Sequence, residues 1–485
     1  MINEKVHTEI SIIRFFGDDT AILVSAQTTT ISFDASEKDL VSLESIDSGF
    51  KKIQFPALIT SQPKNAEEHS LETSNSNVQS ESTPVDVSEK TLLEKKTVAK
   101  GKKANNKQNN KKVTRVAEDP SKFVIRDLSV SNDLKLLALI TENKQLYIYE
   151  TKNWTLVNTT ENSKKCNSVI FDPKGEFVLV ADKFGDAYRY PISIFPQPLQ
   201  PELLLGHVSI LTTLSFIKVS KRADSNENDE YMSELLLVSG DRDEKLRLSS
   251  YPNCYNIHSY CLGHKEFVSA LDVPNFPSGV SKSLLISGAG DGTVKLWDVS
   301  NNPSKSGPSI LLQSLDMPKI GIDCPNMKEL SEVGITGIKS CRTSTNDFLV
   351  AVIVESVPSI FLFKLKVDLV GLNSTLVLIE ILNTDSAMPE LSDVSTNPST
   401  NNVPVAIGFD IPGRLFVSYA IDSKNHPSKK IEAFDYDSSI GKLVSCEDKI
   451  RFTNLITPTV EVAEEPKSIF EWGRKSYARD KHNKE

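Results

Sequence analysis

The stretch Ile286-Ser287-Gly288-Ala289-Gly290-Asp291-Gly292-Thr293-Val294-Lys295-Leu296-Trp297-Asp298 decides the fold of this chain. Two short apolar runs flank a turn in which three glycines alternate with small or acidic residues. Glycine and aspartate between runs rich in β-branched, aromatic and large aliphatic residues indicate two antiparallel strands joined by a tight turn. A phosphate-binding loop would need a helix after the glycines, and here a strand follows instead.

Similar strand pairs recur along the chain at roughly 40 to 45 residues per unit, once polar inserts are set aside. The pairs are Leu136–Leu139 with Gln145–Tyr149, Phe177–Val180 with Ala187–Tyr190, Leu235–Val238 with Lys245–Leu248, and Leu284–Ile286 with Thr293–Trp297. Helical periodicity is nearly absent before the C-terminal tail. Short strands at this period predict an all-β propeller with four antiparallel strands in each blade.

The unit from Gly263 to Asp298 closely resembles a WD40 repeat, in which a histidine, a serine, an aspartate and a tryptophan form a buried hydrogen-bonded set. The resemblance assigns His264, Ser287, Asp291 and Trp297 to these roles. Such a set is structural, because a buried aspartate is costly unless N–H donors pair it. A hydrolase triad is not supported, because neither an oxyanion-hole loop nor a nucleophile elbow accompanies it.

The preceding repeat departs from the WD40 pattern at one position. His207, Ser239 and Asp243 match the set, but Ser249 occupies the position of the tryptophan. We therefore expect this blade to be tied less tightly than the next one.

Counting the weaker units predicts seven blades, which need about 300 residues. The expected organisation is a first blade with following strands over residues 1–60, an insert over 61–118, the remaining blades over 119–460, and a C-terminal tail over 461–485. We expect N- and C-terminal strands to share one blade, because closure of the ring removes exposed sheet edges.

The bulk composition excludes several classes of protein. Of 485 residues, 25% are charged and 39% are hydrophobic, with a net charge of −9, which argues against a polyanion binder along the whole chain. No apolar run is long enough to span a membrane, and the N-terminus lacks a secretory pattern, so we expect no membrane partner. The six cysteines form no C-x-x-C pair, which argues against a zinc site or a disulfide framework.

The insert contains no Phe, Tyr, Trp, Ile, Met or Cys, so it cannot bury a core and is predicted to be disordered. Its first half is acidic, and residues 95–115 carry basic residues with no acid among them. Three interpretations stay open for the basic half: a nuclear localisation signal, a nucleic-acid tether, or a solvated spacer. The tail mixes aromatic and basic residues, and its Arg474, Lys475 and Arg479 are candidates for contact with a nucleic acid; the alternative is a frayed end whose aromatic residues pack on the propeller.

No catalytic motif is present. The sequence contains no phosphate loop, no dinucleotide-binding fingerprint and no H-E-x-x-H, and its seven histidines form no cluster with ligand spacing. We therefore predict that the chain is not an enzyme, binds no metal and holds no cofactor of its own.

The turn before Leu246 concentrates charge in Asp241, Arg242, Asp243, Glu244 and Lys245, with Arg247 after it. Side chains alternate between the two faces of a strand, so Leu246 and Leu248 are predicted to face the core and Lys245 and Arg247 to face outward. Two interpretations remain for these charges. They are either solvated residues that pair among themselves or a basic surface that docks an acidic partner.

The segments around His207, Ser239–Pro252 and Cys261–Ser269 together resemble the non-catalytic WD-repeat subunit of eukaryotic tRNA (guanine-N7) methyltransferase, specifically over about 65 residues. The resemblance implies a heterodimer with a separate catalytic subunit, which holds S-adenosylmethionine and methylates a guanine in the tRNA variable loop. It also implies that this chain interacts with tRNA as part of its complex with the catalytic subunit. We also expect a nuclear location.

The resemblance further implies that Arg242, Lys245, Arg247 and Lys265 bind the partner. Arg247→Glu is then expected to abolish co-purification with the catalytic subunit while the propeller stays folded. The alternative function is a generic WD40 adaptor for another nuclear complex.

Overall fold

A computed structural model describes residues 10–14, 20–25, 30–34, 39–43 and 50–54 by their backbone alone. From Ile125 onward it describes residues 125–133, 135–150, 155–192, 200–221, 232–277, 280–300, 309–324, 327, 333–344, 346–384, 403–409, 413–419 and 431–445. The predicted insert 61–118 and tail 461–485 lie outside these residues. Chain contacts separate Leu58–Glu118 from a unit formed by Met1–Ala57 and Asp119–Glu485.

The described elements are almost all strands, as alternating apolar runs broken by turn residues dictate. The first sheet contains β1 Ile10–Arg14, β2 Thr20–Ser25, β3 Thr30–Asp34, β4 Asp39–Leu43 and β5 Phe50–Gln54. The next three contain β6 Ile125–Val130, β7 Leu136–Thr141, β8 Gln145–Glu150, β9 Thr155–Glu161; β10 Cys166–Phe171, β11 Phe177–Asp182, β12 Asp186–Pro191, β13 Glu202–Gly206; and β14 Leu211–Lys221, β15 Met232–Asp241, β16 Leu246–Ser250, β17 Ile257–Cys261.

The last three sheets follow the same plan. They contain β18 Val268–Asp272, β19 Leu284–Ala289, β20 Thr293–Asp298, β21 Ile310–Asp316; β22 Ile335–Arg342, β23 Asp347–Val354, β24 Ser359–Lys366, β25 Thr375–Asn383; and β26 Pro404–Phe409, β27 Leu415–Tyr419, β28 Ile431–Asp437, β29 Lys442–Ser445. One short helix, α1 Met317–Ile320, follows β21.

Every sheet is an antiparallel meander of consecutive strands. The first strands of neighbouring sheets contact one another in turn, from β6 through β10, β14, β18, β22 and β26 to β1, which also contacts β6. Sheets arranged in a ring around their first strands define a β-propeller, so the predicted all-β WD40-type class is confirmed.

The number of strands in the first sheet and the place where the ring closes bear on two of the predictions. Six sheets have the expected four strands, but the first has five, so a count of seven equivalent blades stays a prediction. We expected N- and C-terminal strands to share one blade. Among the described strands no sheet mixes the two ends; the ring instead closes where β1 lies beside β26.

The core lies between neighbouring sheets rather than in one central cluster. One cluster joins Leu246 and Leu248 of β16 to Leu285 and Trp297 of the next sheet. Another joins Leu179 of β11 to sheet β14–β17. A sheet that lies between two others is therefore covered on both faces. Many antiparallel sheets in other folds expose one face to water.

A bulge recurs near the start of the first strand in each four-stranded sheet, for example between Cys166 and Ser168. A bulge re-aims one side chain out of the regular alternation. Here the re-aimed residues reach the next sheet: Asn167 Nδ2 donates to Leu211 O at 2.8 Å, and Ser269 Oγ donates to Ile335 O at 2.5 Å. The bulges thus help to tie the ring together.

Candidate functional site

His264, Ser287, Asp291 and Trp297 form one hydrogen-bonded set. Trp297 Nε1 donates to Ser287 Oγ at 2.8 Å, and the same oxygen lies 2.8 Å from His264 Nε2. His264 Nδ1 lies 3.3 Å from Asp291 Oδ2. A carboxylate only accepts, which assigns the proton to Nδ1 and leaves Nε2 to accept from the serine hydroxyl. The set ties the loop before β18 to the turn between β19 and β20.

The charges in this set are settled by burial and hydrogen bonding. Burial lowers the pKa of His264 below its ordinary value, so the imidazole is neutral at neutral pH. Burial alone would raise the pKa of Asp291, but hydrogen bonds from His264 and Thr293 lower it to about 2. No nucleophile is generated here, because the serine oxygen is enclosed in the core. The arrangement is a structural tie.

The equivalent set in the preceding sheet uses a different aspartate from the one predicted. His207 Nε2 lies 2.8 Å from Ser239 Oγ, as expected, but Nδ1 lies 2.9 Å from Asp241 Oδ2. Asp243 is exposed in the turn, so its assignment to the set is wrong. Spacing from the serine selected Asp243. The missed signal is an aspartate that ends the second strand, as Asp182 also does one sheet earlier.

Arg247 is only 9% exposed, which contradicts its assignment as a partner-binding residue. Its Nε donates to Ser249 Oγ at 2.9 Å, one terminal nitrogen to Cys254 O at 2.7 Å, and the other to Gly206 O at 3.2 Å. A buried cation is tolerated only when such bonds replace its hydration. The guanidinium therefore holds together three segments of the propeller.

Alternation along β16 was predicted correctly, but its consequence was not. Leu246 and Leu248 face the following sheet, and Arg247 faces the preceding one, which covers it. Lys295, the equivalent residue of β20, is likewise buried and donates to Ser314 Oγ at 2.6 Å. A basic residue at this position therefore serves the fold in both sheets.

The position of Trp297 is occupied by tyrosine in two other sheets and by serine in a third. Cross-strand register makes Tyr149, Tyr190 and Ser249 its equivalents. Tyr190 Oη donates to Asn162 Oδ1 at 2.8 Å. Ser249 accepts from Arg247, so the sheet expected to be weakly tied has a different tie in place of the tryptophan.

The other three predicted partner-binding residues do lie at the surface. Lys245 and Lys265 are exposed and Arg242 is half-buried. Two aliphatic side chains at the same strand ends are also exposed: Val208, which is fully exposed, and Leu262, which is 61% exposed. We call these five residues the loop surface.

Backbone bonds hold the loop surface in place. Arg242 N donates to Ile210 O at 2.9 Å, which joins the β15–β16 turn to the loop that carries Val208. Lys265 N donates to Asp291 Oδ2 at 2.8 Å. Leu246 pairs with Cys261, so the residues next to them, Lys245 and Leu262, lie side by side. The surface is thus built on strand ends rather than on a long loop.

A second basic group, which the sequence interpretation missed, lies at the same end of sheets β6–β9 and β10–β13, where their first strands begin. Arg126 and Lys165 both form ion pairs with Glu142. Burial alone would raise the pKa of Glu142, but the two cations lower it. Burial lowers the pKa of the nearby Lys183, as do Arg126 and Lys165. Three cations around one carboxylate form what we call the cation cluster.

Some predicted residues cannot be placed. Arg474, Lys475 and Arg479 lie outside the described residues and stay candidates for tRNA contact. In the described part of the chain, no three His, Cys, Asp or Glu side chains are arranged to hold a metal ion. None of its helices has the length and apolar character needed to cross a membrane.

The ring of sheets and the His–Ser–Asp–Trp set define the class: a WD40-type propeller. Within that class, the family described as "tRNA methyltransferase TRM82 WD40 domain" matches residues 23–202 and 196–407. The chain belongs to this family.

Curated relatives carry consistent names. The chain is 34% identical over 231 residues to "tRNA (guanine-N(7)-)-methyltransferase non-catalytic subunit wdr4" of Xenopus laevis, covering 47% of this chain and 50% of that protein. It is 32% identical to the Danio rerio protein of the same name, covering 54% and 56%. It is 33% identical to "tRNA (guanine-N(7)-)-methyltransferase non-catalytic subunit TRM82" of Eremothecium gossypii, covering 36% of each.

These alignments span about half the length of the curated relatives, or less. The names describe subunits without catalytic activity, in agreement with the prediction that this chain is not an enzyme. Among solved structures, a chain of "Crystal Structure of Mitotic Checkpoint Complex" aligns with a TM-score of 0.44 and 15% identity, covering 74% of this chain and 88% of that one.

Proposed function

We propose that this chain is a non-catalytic subunit that binds and stabilises the catalytic subunit of a tRNA (guanine-N7) methyltransferase. Family membership over residues 23–202 and 196–407 is the observation that carries the proposal. The relatives named above are subunits of that enzyme, and a non-catalytic subunit implies a catalytic partner. We propose a heterodimer, with S-adenosylmethionine held by the partner.

The loop surface has the composition of a docking site for a protein. Its exposed Val208 and Leu262 supply apolar area, which favours contact with a protein. Lys245 and Lys265 flank them as a basic rim, which favours acidic side chains on the partner and speeds their encounter. Arg247 has no place in this surface, because it is buried.

The cation cluster offers a route for tRNA to meet the complex. Arg126, Lys165 and Lys183 bring three positively charged side chains together around Glu142, and phosphate binding draws on such clustered positive charge. We propose that it contacts the tRNA backbone while the catalytic subunit methylates N7 of a guanine in the variable loop. Lys165→Glu is then expected to weaken tRNA binding by the heterodimer and reduce its salt dependence. An unchanged salt slope would remove the cluster from this role.

We propose a nuclear location on the basis of the basic segment 95–115. A fluorescent fusion lacking residues 95–115 is expected to lose nuclear accumulation, whereas one lacking the acidic residues 67–94 keeps it. Equal distributions of the two deletions would contradict the proposal.

The alternative is a generic WD40 adaptor for another nuclear complex. Co-expression with the catalytic subunit of a tRNA (guanine-N7) methyltransferase separates the two functions. We expect the two chains to elute as one complex on size-exclusion chromatography. We also expect the catalytic subunit to be more soluble when it is co-expressed with this chain than when it is expressed alone. Separate elution of two soluble chains would favour the adaptor.

A further inference from the structure

A pocket of about 320 Å³ lies where sheet β6–β9 meets sheet β10–β13. Its lining includes Glu161 at the end of β9, Asp182 at the end of β11, and Tyr188 and Tyr190 of β12. Its volume is at the small end of the range for ligand sites, about 300–1,000 Å³. It therefore suits one side chain or a small fragment rather than a large cofactor. We call it the Asp182 pocket.

The charge in the Asp182 pocket is mainly negative. Asp182 is buried, and its Oδ1 accepts the N–H groups of Phe184 and Asp186 at 2.8 and 3.0 Å. Those bonds fix the position of the carboxylate. Glu161 adds a second carboxylate. The one lysine in the lining, Lys164, has its ammonium 4.3 Å from the centre of the Phe184 ring, so a cation–π contact already engages it.

The two tyrosine rings are held by their hydroxyl groups. Tyr190 Oη donates to Asn162 Oδ1 at 2.8 Å, and Asn162 Nδ2 donates in turn to Lys144 O at 3.0 Å. Tyr188 Oη donates to Asp186 Oδ2 at 3.2 Å. The pocket therefore combines fixed aromatic rings with a fixed carboxylate.

Chemistry of a reactive kind is not expected in this pocket. Cys166 is in the lining, but burial raises the pKa of its thiol to about 12. A thiol is a good nucleophile or metal ligand only as the thiolate, which is scarce at neutral pH here. The pocket is built for binding.

We propose that the Asp182 pocket receives an arginine side chain of a partner protein. A guanidinium carries the charge that Asp182 and Glu161 lack, matches a carboxylate with paired N–H groups, and stacks on aromatic rings. A lysine ammonium, a point charge, satisfies the first of these requirements but neither of the others. The inference goes beyond the proposed methyltransferase role and holds whichever protein supplies the arginine.

The test uses the full chain labelled with 3-fluorotyrosine, and the peptide acetyl-Gly-Arg-Gly-amide as the probe. ¹⁹F NMR signals of Tyr188 and Tyr190, assigned from their Phe variants, are expected to shift saturably on titration. The matched peptide with citrulline, which has the shape of arginine without its charge, is expected to bind at least about tenfold more weakly. The affinity of the matched lysine peptide is expected to lie between those of the arginine and citrulline peptides.

Variants of the chain complete the test. Asp182→Asn keeps an oxygen for the two N–H groups but removes the charge. We expect this variant to bind the arginine peptide about tenfold or more weakly than the natural chain does. Glu161→Gln, remote from those backbone bonds, covers the case in which Asp182→Asn does not fold, and should weaken binding in the same direction. The exposed Asp243→Asn is the control and should change nothing. Absence of any shift of the two tyrosine signals, or equal binding of the arginine and citrulline peptides, would overturn the proposal.

Discussion

Arg247 shows how a single buried cation can hold a blade together. Its guanidinium bonds Ser249, Cys254 and Gly206, which belong to three separate segments. A tryptophan at the position of Ser249 would have tied the sheet through its indole N–H, as Trp297 does. Arg247, two residues before Ser249, instead supplies the donors: Nε donates to Ser249 Oγ, and the two terminal nitrogens donate to the carbonyl oxygens of Cys254 and Gly206.

Removal of the Arg247 side chain is expected to destabilise the propeller. Arg247→Ala leaves the buried acceptors Ser249 Oγ and Cys254 O without this donor, together with a cavity, so we expect a loss of about 2–4 kcal/mol in the free energy of unfolding. Lys245→Ala, two residues away and exposed, should change it by less than about 0.5 kcal/mol. Urea unfolding of both variants gives the comparison. Equal stability of the two would contradict a structural role for Arg247.

His264 predicts a dependence of stability on pH. Its pKa is lowered in the folded chain from an ordinary 6.5, so below that pH the unfolded chain binds a proton that the folded chain refuses. Stability is therefore expected to fall as the pH falls from about 6.5. Asp291, with a folded pKa of about 2 against 3.8, adds a further loss as the pH falls from about 4 toward 2.

The histidine contribution can be isolated with His264→Asn, because Asn162 fills the equivalent position in the loop before β10 and bonds Tyr190. Urea unfolding between pH 7 and pH 5 is expected to show a smaller loss of stability in the variant than in the natural chain. Identical pH profiles would show that His264 does not carry the effect.

At the scale of elements, the turn between the second and third strands repeats one backbone conformation. Lys144, Gly185, Glu244 and Gly292 all have positive φ, between 70° and 98°. Glycine is favoured there, because other residues strain in the left-handed region. The repetition explains how the charged turn Arg242–Lys245 adopts the same path as the glycine-rich turn after Ala289.

Two glycines with positive φ differ in the space available around them, so they allow the cost of backbone strain to be compared with the cost of a close contact. Gly185 and Gly175 both have positive φ, but a Cβ on Gly185 would lie 2.4 Å from His207 O, whereas one on Gly175 meets nothing within 4 Å. Gly175→Ala is expected to cost about 1 kcal/mol in the free energy of unfolding. Gly185→Ala should cost clearly more and displace the loop that carries Val208. Equal melting temperatures of the two variants would contradict this packing.

The sequence predicts strands, turns and the WD40 set well, because these depend on local periodicity and on residues at fixed spacing. It failed for Arg247 because alternation says which face a residue takes, but not whether another sheet covers that face. It failed for Asp243 because only Asp243 has the spacing of Asp291 from its serine, whereas the bond from His207 goes to Asp241, two residues earlier. The cation cluster was missed because Arg126, Glu142 and Lys183 meet only when two sheets pack.

At the scale of the whole molecule, both surfaces that we propose for binding lie at one end of the propeller's strands. The loop surface spans the loops before and after sheet β14–β17, and the cation cluster lies at the same end of the two preceding sheets. This arrangement suits a subunit that holds a catalytic partner and leads a polyanion toward it. The turns between first and second strands, such as the one carrying Lys174, lie at the opposite end.

The most direct test measures N7-methylguanosine in tRNA by mass spectrometry, after the catalytic subunit is co-expressed with natural or variant forms of this chain. We expect methylation with the natural chain and with Lys174→Glu, an exposed charge reversal at the opposite end. The double variant Lys245→Glu with Lys265→Glu should reduce the amount of N7-methylguanosine by about tenfold or more. Its propeller should still unfold at the same urea concentration as that of the natural chain. Full methylation with that double variant, or none with the natural chain, would contradict the account.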